Sequence, residues 1–508
     1  MLTEFKTEKL MVKKERLTRN FEQLIENDLS LPDYCGDIIK ILNCSSKTNI
    51  FSATVTGEKA VIDGAVVTRI VYVNSSSRTE VYEITTPFNR SIDAKGAAEN
   101  DIVDVSCISE QVSCRAVNQR RADVRGSITL RLCITGCDEV TIVTDVPDGY
   151  CHTLGNSITG NFIKTVCKKT FTVSENSENE ERFRNAKILR TFATPVVTEV
   201  RTIKNKMMVR GNANTELTLL DSSGNFITSR IQLPVNQIID IDGIDEDSLC
   251  NVSMNVTALD VRVSPETASA PPHIEATATV SAVINVLMKN TVSAFSEAYA
   301  PHYDLVCENT AIRYIADINR INETHAVSVK FDFASCNASE VCDAEIRKIR
   351  FTTVCENNSV VMRGNIHYGI TIKTEEGEKL WFERISDFEH RFSADCDTGD
   401  IDFCPAVSPV ACETAISRDG TVTVHSEFRI DGYLYCMKEF TAICSVEKGE
   451  KKNSTDNRSI FTVYFASENE KLWDIAKSHD TSEAKIRCFN PDVNDVTDAD
   501  CLLVFEQE

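Results

Sequence analysis

The residues most suited to binding a metal ion are the twenty cysteines of this 508-residue chain, because thiolates at short spacing bind zinc. The closest pairs are Cys133 with Cys137 and Cys336 with Cys342. Neither pair has the Cys-x2-Cys spacing, and neither has a second pair or a histidine at ligand spacing. The acidic run 395–402 is similar in composition to a calcium loop, but its glycine stands at the fifth position and not at the sixth. We therefore expect a solvated loop there and no metal site.

Short catalytic motifs are absent from the sequence. It contains no Gly-x4-Gly-Lys-Ser/Thr, no His-Glu-x2-His and no Gly-x-Ser-x-Gly. The eight histidines are scattered along the chain. A catalytic triad assembled from distant segments would leave no such signature, so that alternative stays open. We expect no catalytic residues, no cofactor and no enzymatic activity.

The composition excludes some classes of protein. A formal net charge of −22 repels phosphate backbones, so we expect no binding to nucleic acid. Hydrophobic residues make up 42% of the chain, which is enough for packed cores. No apolar run approaches the roughly 18 residues of a membrane helix, and the N-terminus lacks the apolar centre of a signal peptide. We expect a cytosolic protein whose cysteines are reduced and mostly buried thiols.

The elements that would position any site are predominantly β-strands. Residues Ala65 to Val73 are β-branched and partly alternating, the polar run 74–77 follows, and the strand pattern resumes at Val81. This pattern is typical of a β-hairpin. The N-terminal segment 6–29 fits either a helical face or a strand, and residues 32–42 are predicted to form a short helix that begins at a proline.

The hairpin pattern occurs three times. It is marked by Gly64, Gly211 and Gly364, at intervals of 147 and 153 residues. Each glycine is followed at 23 residues by Pro87, Pro234 or Asp387, and at 28 residues by Ile92, Ile239 or Phe392. The polar turns fall at Asn74–Ser77, Asp221–Gly224 and Glu375–Gly377. A period this long indicates tandem domains rather than a solenoid.

We therefore predict a mainly β protein with three tandem, antiparallel, β-sandwich-like modules and a small C-terminal β-α-α-β domain. The predicted ranges are 1–173 for the first module with its N-terminal segment, 182–300 for the second, 301–448 for a divergent third, 449–458 for a linker and 459–508 for the C-terminal domain. A second polar linker is predicted at residues 174–181.

The last fifty residues carry their own pattern. Residues 461–465 are predicted as a strand, and Leu472, Ile475 and Ala476 define the buried face of a first helix. Thr481 is the expected cap of a second helix, which ends at Asn490-Pro491. A closing strand is predicted at residues 501–505.

This C-terminal order resembles a LysM domain in its opening strand, Leu472-Trp473, Ile475-Ala476, Asn490-Pro491 and Leu503-Val504. LysM domains usually bind glycans that contain N-acetylglucosamine, often peptidoglycan. The usual Gly-Asp-Thr of the family, one wall of the glycan groove, is replaced here by Asn469-Glu470-Lys471.

The β module resembles the SPOCS domain of sporulating Firmicutes. The resemblance is carried by Leu31-Pro32-Asp33, residues 38–42, Ile62-Asp63-Gly64, residues 70–73 and Pro87-Phe88. Tandem SPOCS modules followed by one LysM domain resemble a family of spore coat morphogenetic proteins. The resemblance implies a non-enzymatic scaffold in the mother-cell cytoplasm, at the forespore surface and spore coat. It also implies that the LysM domain binds a coat morphogenetic ATPase, whereas the β modules could associate with one another through edge strands.

We predict partner-binding residues at Trp473, Phe461, Val463, Asn469 and Lys471. Trp473 lies at the edge of the helix's buried face, so it could complete a small core or form part of a partner surface. Val463 and Phe461 point to one face of the first strand and could extend that surface. The alternative function is a LysM protein that binds peptidoglycan or another glycan of the cortex or cell wall.

Overall fold

A computed structural model describes residues 5–146, 151–178, 180–264, 271–356, 359–393, 400–452, 462–498 and 501–504. The fold is mainly β with several antiparallel sheets, as predicted. Along these residues, no helix is both long enough and apolar enough to cross a membrane.

The strands before residue 452 form three groups of similar connectivity. Group 1 contains β1 Lys6–Ser30, β2 Ile38–Thr56, β3 Lys59–Asn74, β4 Thr79–Asp93, β5 Ile102–Asn118 and β6 Arg121–Asp145. Group 2 contains β7 His152–Asn176, β8 Lys187–Ile203, β9 Lys206–Leu220, β10 Phe226–Asp240, β11 Leu249–Ser264 and β12 His273–Tyr299. Group 3 contains β13 Tyr303–Asp332, β14 Ala338–Glu356, β15 Ser359–Thr374, β16 Lys379–Ser393, β17 Ile401–Phe403, β18 Ala406–Ile416 and β19 Thr421–Lys451.

Each group places a three-stranded sheet against a pair of long strands. The small sheets are β2-β3-β4, β8-β9-β10 and β14-β15-β16. The long pairs are β1 with β6, β7 with β12 and β13 with β19, with β5, β11 or β18 at the outer edge. Alternating apolar side chains of both layers form one core in each group, for example Ile62 with Leu130 in group 1 and Tyr368 with Phe428 in group 3.

The three groups are joined by their long strands and not by separate linkers. Strand β7 meets β1 where Met11 pairs with Ile163, and it meets β13 where Asn161 pairs with Ile315. A separate apolar cluster fills this junction, with Leu10, Ile142, Phe162, Val292, Ala294, Ile312 and Ala442 buried in it. The long strands therefore belong to one ten-stranded sheet.

The register of β7 bears on two predicted boundaries. It pairs with β12 from His152–Tyr299 to Asn176–Glu275. The predicted end of the first module at residue 173 therefore falls inside a strand of group 2, and the predicted linker 174–181 begins within the same strand. A polar run is compatible with a strand whose outer face is solvated.

Strand pairing over long sequence distances decides the structure of two segments, residues 32–42 and the N-terminal segment. The helix predicted at residues 32–42 is wrong, because β2 begins at Ile38 and pairs with β3. The ambiguous N-terminal segment is the strand β1, which pairs with β6 from Lys6 to Ser30. In both segments the pairing of the backbone outweighs the helical spacing of the side chains.

The three glycines occupy the same position in each small sheet. The residue after each glycine pairs with the residue 23 positions beyond the glycine: Ala65 with Pro87, Asn212 with Pro234, and Asn365 with Asp387. A Cβ at Gly64, Gly211 or Gly364 would lie 2.5, 2.1 or 1.9 Å from a carbonyl oxygen of the neighbouring strand. A side chain does not fit at that distance, which explains why glycine stands at all three positions.

The cysteines do not follow the expectation of mostly buried thiols. Cys35, Cys151 and Cys250 are buried free thiols, but most of the described cysteines are half-buried and Cys107 is exposed. Cys436 is disulfide-bonded, although reduced thiols were expected. The strands that carry these residues have one partly solvated face, so an apolar run did not imply burial.

The C-terminal unit, defined here as residues 462–498 and 501–504, is a small α/β assembly. It contains β20 Thr462–Phe465, β21 Glu468–Lys471, α1 Leu472–Ser478, α2 Glu483–Phe489, β22 Val496–Asp498 and β23 Cys501–Val504. Strand β20 pairs with β23 and β21 pairs with β22. The cap of α2 is Ser482, whose hydroxyl accepts a hydrogen bond from the Lys485 backbone N–H, and not Thr481 as predicted.

Candidate docking surface of the C-terminal unit

Three apolar side chains of the C-terminal unit are exposed on one face of its β20–β23 ladder. Val463 is 47% exposed, Phe465 76% and Leu503 40%. Val463 pairs directly with Leu503, and Phe465 lies two residues farther along β20. Because side chains alternate along a strand, these three point to the same side of the ladder. We call them the apolar face.

The opposite side of the same ladder is the core of the unit. Tyr464 and Leu502 pair with each other between the residues of the apolar face, and both contact the buried cluster of Leu472, Ile475, Ala476, Ile486 and Val504. The alternation that buries Leu502 therefore exposes Leu503. The apolar face follows from the packing of the core and not from disorder of the strand.

Asn490 holds the closing strand of the unit in place. Its side-chain amide donates to the Leu503 carbonyl at 2.8 Å, and its carbonyl oxygen accepts from the Leu503 N–H at 2.9 Å. The residue thus joins the end of α2 to β23 by two hydrogen bonds. Leu503 of the apolar face is consequently fixed by backbone contacts on a regular element, as a recognition surface requires.

The segment before α1 places two further predicted residues at the surface. Asn469 and Lys471 are both exposed, and Asn469 has a φ of 64°, in the left-handed region that asparagine tolerates better than most residues. Between them, the Glu470 carboxylate accepts from the Tyr464 hydroxyl at 2.7 Å and from the Ser467 N–H at 2.8 Å. The exposed side chains at 469 and 471 are therefore presented from an anchored turn.

Trp473 lies in a different place, in the contact between the C-terminal unit and strand β12. Its side chain is 5% exposed, its ring lies 4.9 Å from that of Tyr299 in an edge arrangement, and its Nε1–H donates to Glu297 at 3.1 Å. Lys477 also donates to Glu297, at 3.0 Å. In this structure the indole is buried inside the chain, so it is not part of the apolar face.

Polar contacts add to this contact with β12. The Tyr299 hydroxyl donates to the Thr481 carbonyl oxygen, and Lys452, which follows β19, forms an ion pair with Asp480. Hydrogen bonds from Lys477 and Trp473 lower the pKa of Glu297, so this carboxylate stays charged near neutral pH. The C-terminal unit is therefore held against group 2 by aromatic, hydrogen-bonding and ionic contacts together.

The structure brings some of the predicted residues together and separates others. Val463 lies on the apolar face, Asn469 and Lys471 lie on the anchored turn, and Trp473 lies on the side that faces β12. Phe461 lies outside the described residues. Sequence reasoning missed Phe465 and Leu503, although the alternation that exposed Val463 would also have identified Phe465. No local signal pointed to Tyr299 or Glu297, which lie more than 170 residues before Trp473.

Within the part of the chain that the structure describes, no three His, Cys, Asp or Glu side chains are grouped as ligands. Most of the acidic run 395–402 lies outside the described residues.

A family model described as "SipL, SPOCS domain" matches residues 37–117 and 186–264. These two segments correspond to β2–β5 of group 1 and β8–β11 of group 2. The match confirms the SPOCS resemblance for the first two copies and indicates a protein related to sporulation. No curated protein matches the chain.

Proposed function

Because the chain carries two SPOCS domains of the SipL type, we propose that it is a non-enzymatic scaffold in the assembly of the spore envelope and coat. It acts in the mother-cell cytoplasm, at the forespore surface. Its C-terminal unit is a LysM domain that binds a coat morphogenetic ATPase, as the resemblance to the spore coat family implies. The observation that carries this proposal is the apolar face, an exposed set of large side chains on a rigid ladder.

The division into modules is part of the same proposal. Group 3 has the strand connectivity of groups 1 and 2, and its hairpin has the same register around Gly364 as the others have around Gly64 and Gly211. We therefore treat it as a third, divergent SPOCS module. The pairing of β7 with β12 supports a start of the second module at residue 152 instead of 182.

The chemistry of the apolar face favours a protein partner over a glycan. Val463, Phe465 and Leu503 offer no hydrogen-bonding groups, whereas a sugar has hydroxyls that would lose water without replacement. Exposed aromatic side chains such as Phe465 are enriched at protein–protein interfaces. Several modules on one chain also suit a scaffold, because linking them raises the effective concentration of each weak contact.

The test compares full-length tagged variants in sporulating cells. The double variant Val463→Asp/Phe465→Asp is expected to lose co-purification of the coat ATPase and localisation at the forespore. Val354→Asp is the matched control, because Val354 is a valine of group 3 with 46% exposure. Retention of the ATPase by the double variant would refute the role of the apolar face.

The alternative function is tested with the same proteins. The full chain is sedimented with purified peptidoglycan, and we expect it to remain in the supernatant. Sedimentation that is saturable and released by soluble muropeptides would support a glycan-binding LysM domain instead.

A further inference from the structure

A cavity of about 980 Å³ lies where the three strand groups meet. Its lining includes Lys47 on β2, Arg190 on β8, Lys348 on β14 and Arg429 on β19. Each of the three groups therefore contributes side chains to one partly open space. The scaffold function proposed above does not explain why side chains of all three groups surround such a space.

The lining is rich in cations although the chain as a whole is acidic. The basic side chains are Lys47, Arg69, Arg190, Arg230, Arg347, Lys348, Arg350 and Arg429, and the acidic ones are Glu110, Glu216, Glu345 and Glu383. Basic groups thus outnumber acidic groups two to one in a protein whose net charge is −22. A local reversal of sign in a partly enclosed site concentrates anions.

Some of these cations are already neutralised by carboxylates. Arg190 lies 2.9 Å from Asp343 and 3.0 Å from Glu345, and so connects group 2 to group 3. Arg230 pairs with Glu216 at 3.1 Å. These pairs leave no free charge for a ligand.

Two lysines of the lining have only neutral acceptors. Lys47 donates to the carbonyl oxygen and the hydroxyl of Thr191, at 3.2 and 3.4 Å, and Lys348 donates to the carbonyl oxygen of Ile108. Over the described ranges, no carboxylate lies within ion-pair distance of either ammonium group. The charge of the Glu110 carboxylate acts on both ammonium groups, but from beyond ion-pair distance, and a neutral acceptor does not replace an opposite charge.

Buried polar atoms without partners lie in the same lining. Ser46 Oγ, Thr48 Oγ1 and Arg429 Nε are buried and have no hydrogen-bond partner among the residues described. All three can donate a hydrogen bond. Because side chains alternate along a strand, the hydroxyls of Ser46 and Thr48 point to the opposite face of β2 from Lys47, and water can satisfy them. Water would not neutralise Lys47 and Lys348, whereas an oxyanion would, and it would also accept a hydrogen bond from Arg429.

We propose that this cavity binds a small multivalent oxyanion, bearing phosphate or carboxylate groups, which ties the three strand groups together. The ammonium groups of Lys47 and Lys348 and the guanidinium of Arg429 supply the charge. Because these side chains come from group 1 and group 3 and Lys47 also contacts group 2, the bound anion stabilises the arrangement of the whole chain.

The test is isothermal titration of the full chain with inorganic pyrophosphate and, separately, with citrate at fixed ionic strength. We expect saturable binding of one anion per chain for at least one of the two probes. Binding of pyrophosphate alone identifies a phosphate-bearing ligand, and binding of citrate alone identifies a carboxylate-bearing one. Failure of both probes to bind would overturn the proposal.

Variants locate the site. Lys47→Met and Lys348→Met are each expected to weaken binding by about tenfold or more, since a hydrogen bond to a charged group contributes roughly 1.5–3 kcal/mol. Lys59→Met, an exposed lysine at the start of β3, removes the same charge and should change the affinity by less than about twofold. Thermal unfolding without anion establishes that each variant is folded. Equal affinity in all three variants, or binding to many weak sites, would contradict the assignment.

Discussion

The contact between the C-terminal unit and β12 predicts how far Tyr299→Ala shifts the equilibrium between the docked and undocked unit. The substitution removes the hydrogen bond to the Thr481 carbonyl oxygen and the aromatic contact with Trp473. The hydrogen bond contributes about 1 kcal/mol and the edge-on aromatic pair about 1 kcal/mol. Their loss lowers the ratio of docked to undocked units at least about thirtyfold. Tyr299 also packs against the buried cluster of Leu472 and Ile475, and the loss of that packing adds to this figure.

The assay is hydrogen exchange of the Trp473 indole N–H, followed by NMR on tryptophan-labelled protein. This N–H is protected by its hydrogen bond to Glu297, so its exchange rate reports the undocked population. Trp381→Phe identifies the signal of Trp473, because the chain has only two tryptophans. The rate should rise at least about thirtyfold in Tyr299→Ala and stay constant in Tyr34→Ala, a control at an 83% exposed tyrosine. An unchanged rate in Tyr299→Ala would refute the docking contact.

Three further predictions concern the body of the protein. Gly364→Ala should lower the free energy of unfolding by about 2 kcal/mol or more in denaturant titrations, because a Cβ would lie 1.9 Å from the Arg350 carbonyl oxygen; an unaltered midpoint would disprove the close approach. Arg190→Met should cost about 2–3 kcal/mol by leaving Asp343 without its cation and Glu345 with only Arg347 at 3.9 Å, and Asp343→Asn/Glu345→Gln in the same chain should restore part of the loss. Burial, followed by the charge of Arg69 and opposed by that of Glu110, lowers the pKa of Lys47 to about 8. The folded state then binds fewer protons than the unfolded state between about pH 8 and the usual lysine pKa near 10, so the stability of the wild type relative to Lys47→Met should rise with pH across that window; parallel stability curves would contradict it.

The hairpins of the fold could be predicted from sequence because their signals are local. Alternating β-branched residues, a polar turn and a glycine at a fixed distance define the β3–β4 register around Gly64. Packing of the long strands could not be predicted in the same way. Strand β1 pairs with β6, more than 90 residues away at every position, and no pattern within β1 identifies that partner. Its helical spacing was therefore ambiguous until the partner was known.

The site was predictable to a similar extent. Alternation in β20 pointed to the face that carries Val463, and Asn469 and Lys471 were singled out by the resemblance of their loop to the glycan groove of a LysM domain. The position of Trp473 depended on Tyr299, which lies in another part of the chain and carries no signal of its own. The anion-binding cavity could not be predicted from the sequence either. Lys47 and Lys348 are 301 residues apart, and they line one cavity only because the strand groups pack together.

The most direct measurement is the affinity of the purified full-length chain for the purified coat morphogenetic ATPase. The wild type and Val354→Asp should bind with the same dissociation constant, and Val463→Asp/Phe465→Asp should bind at least about a hundredfold more weakly, because the central residues of a protein interface contribute about 2 kcal/mol or more each. Equal binding by all three proteins, or no binding by the wild type, would contradict the claim that the apolar face holds this partner.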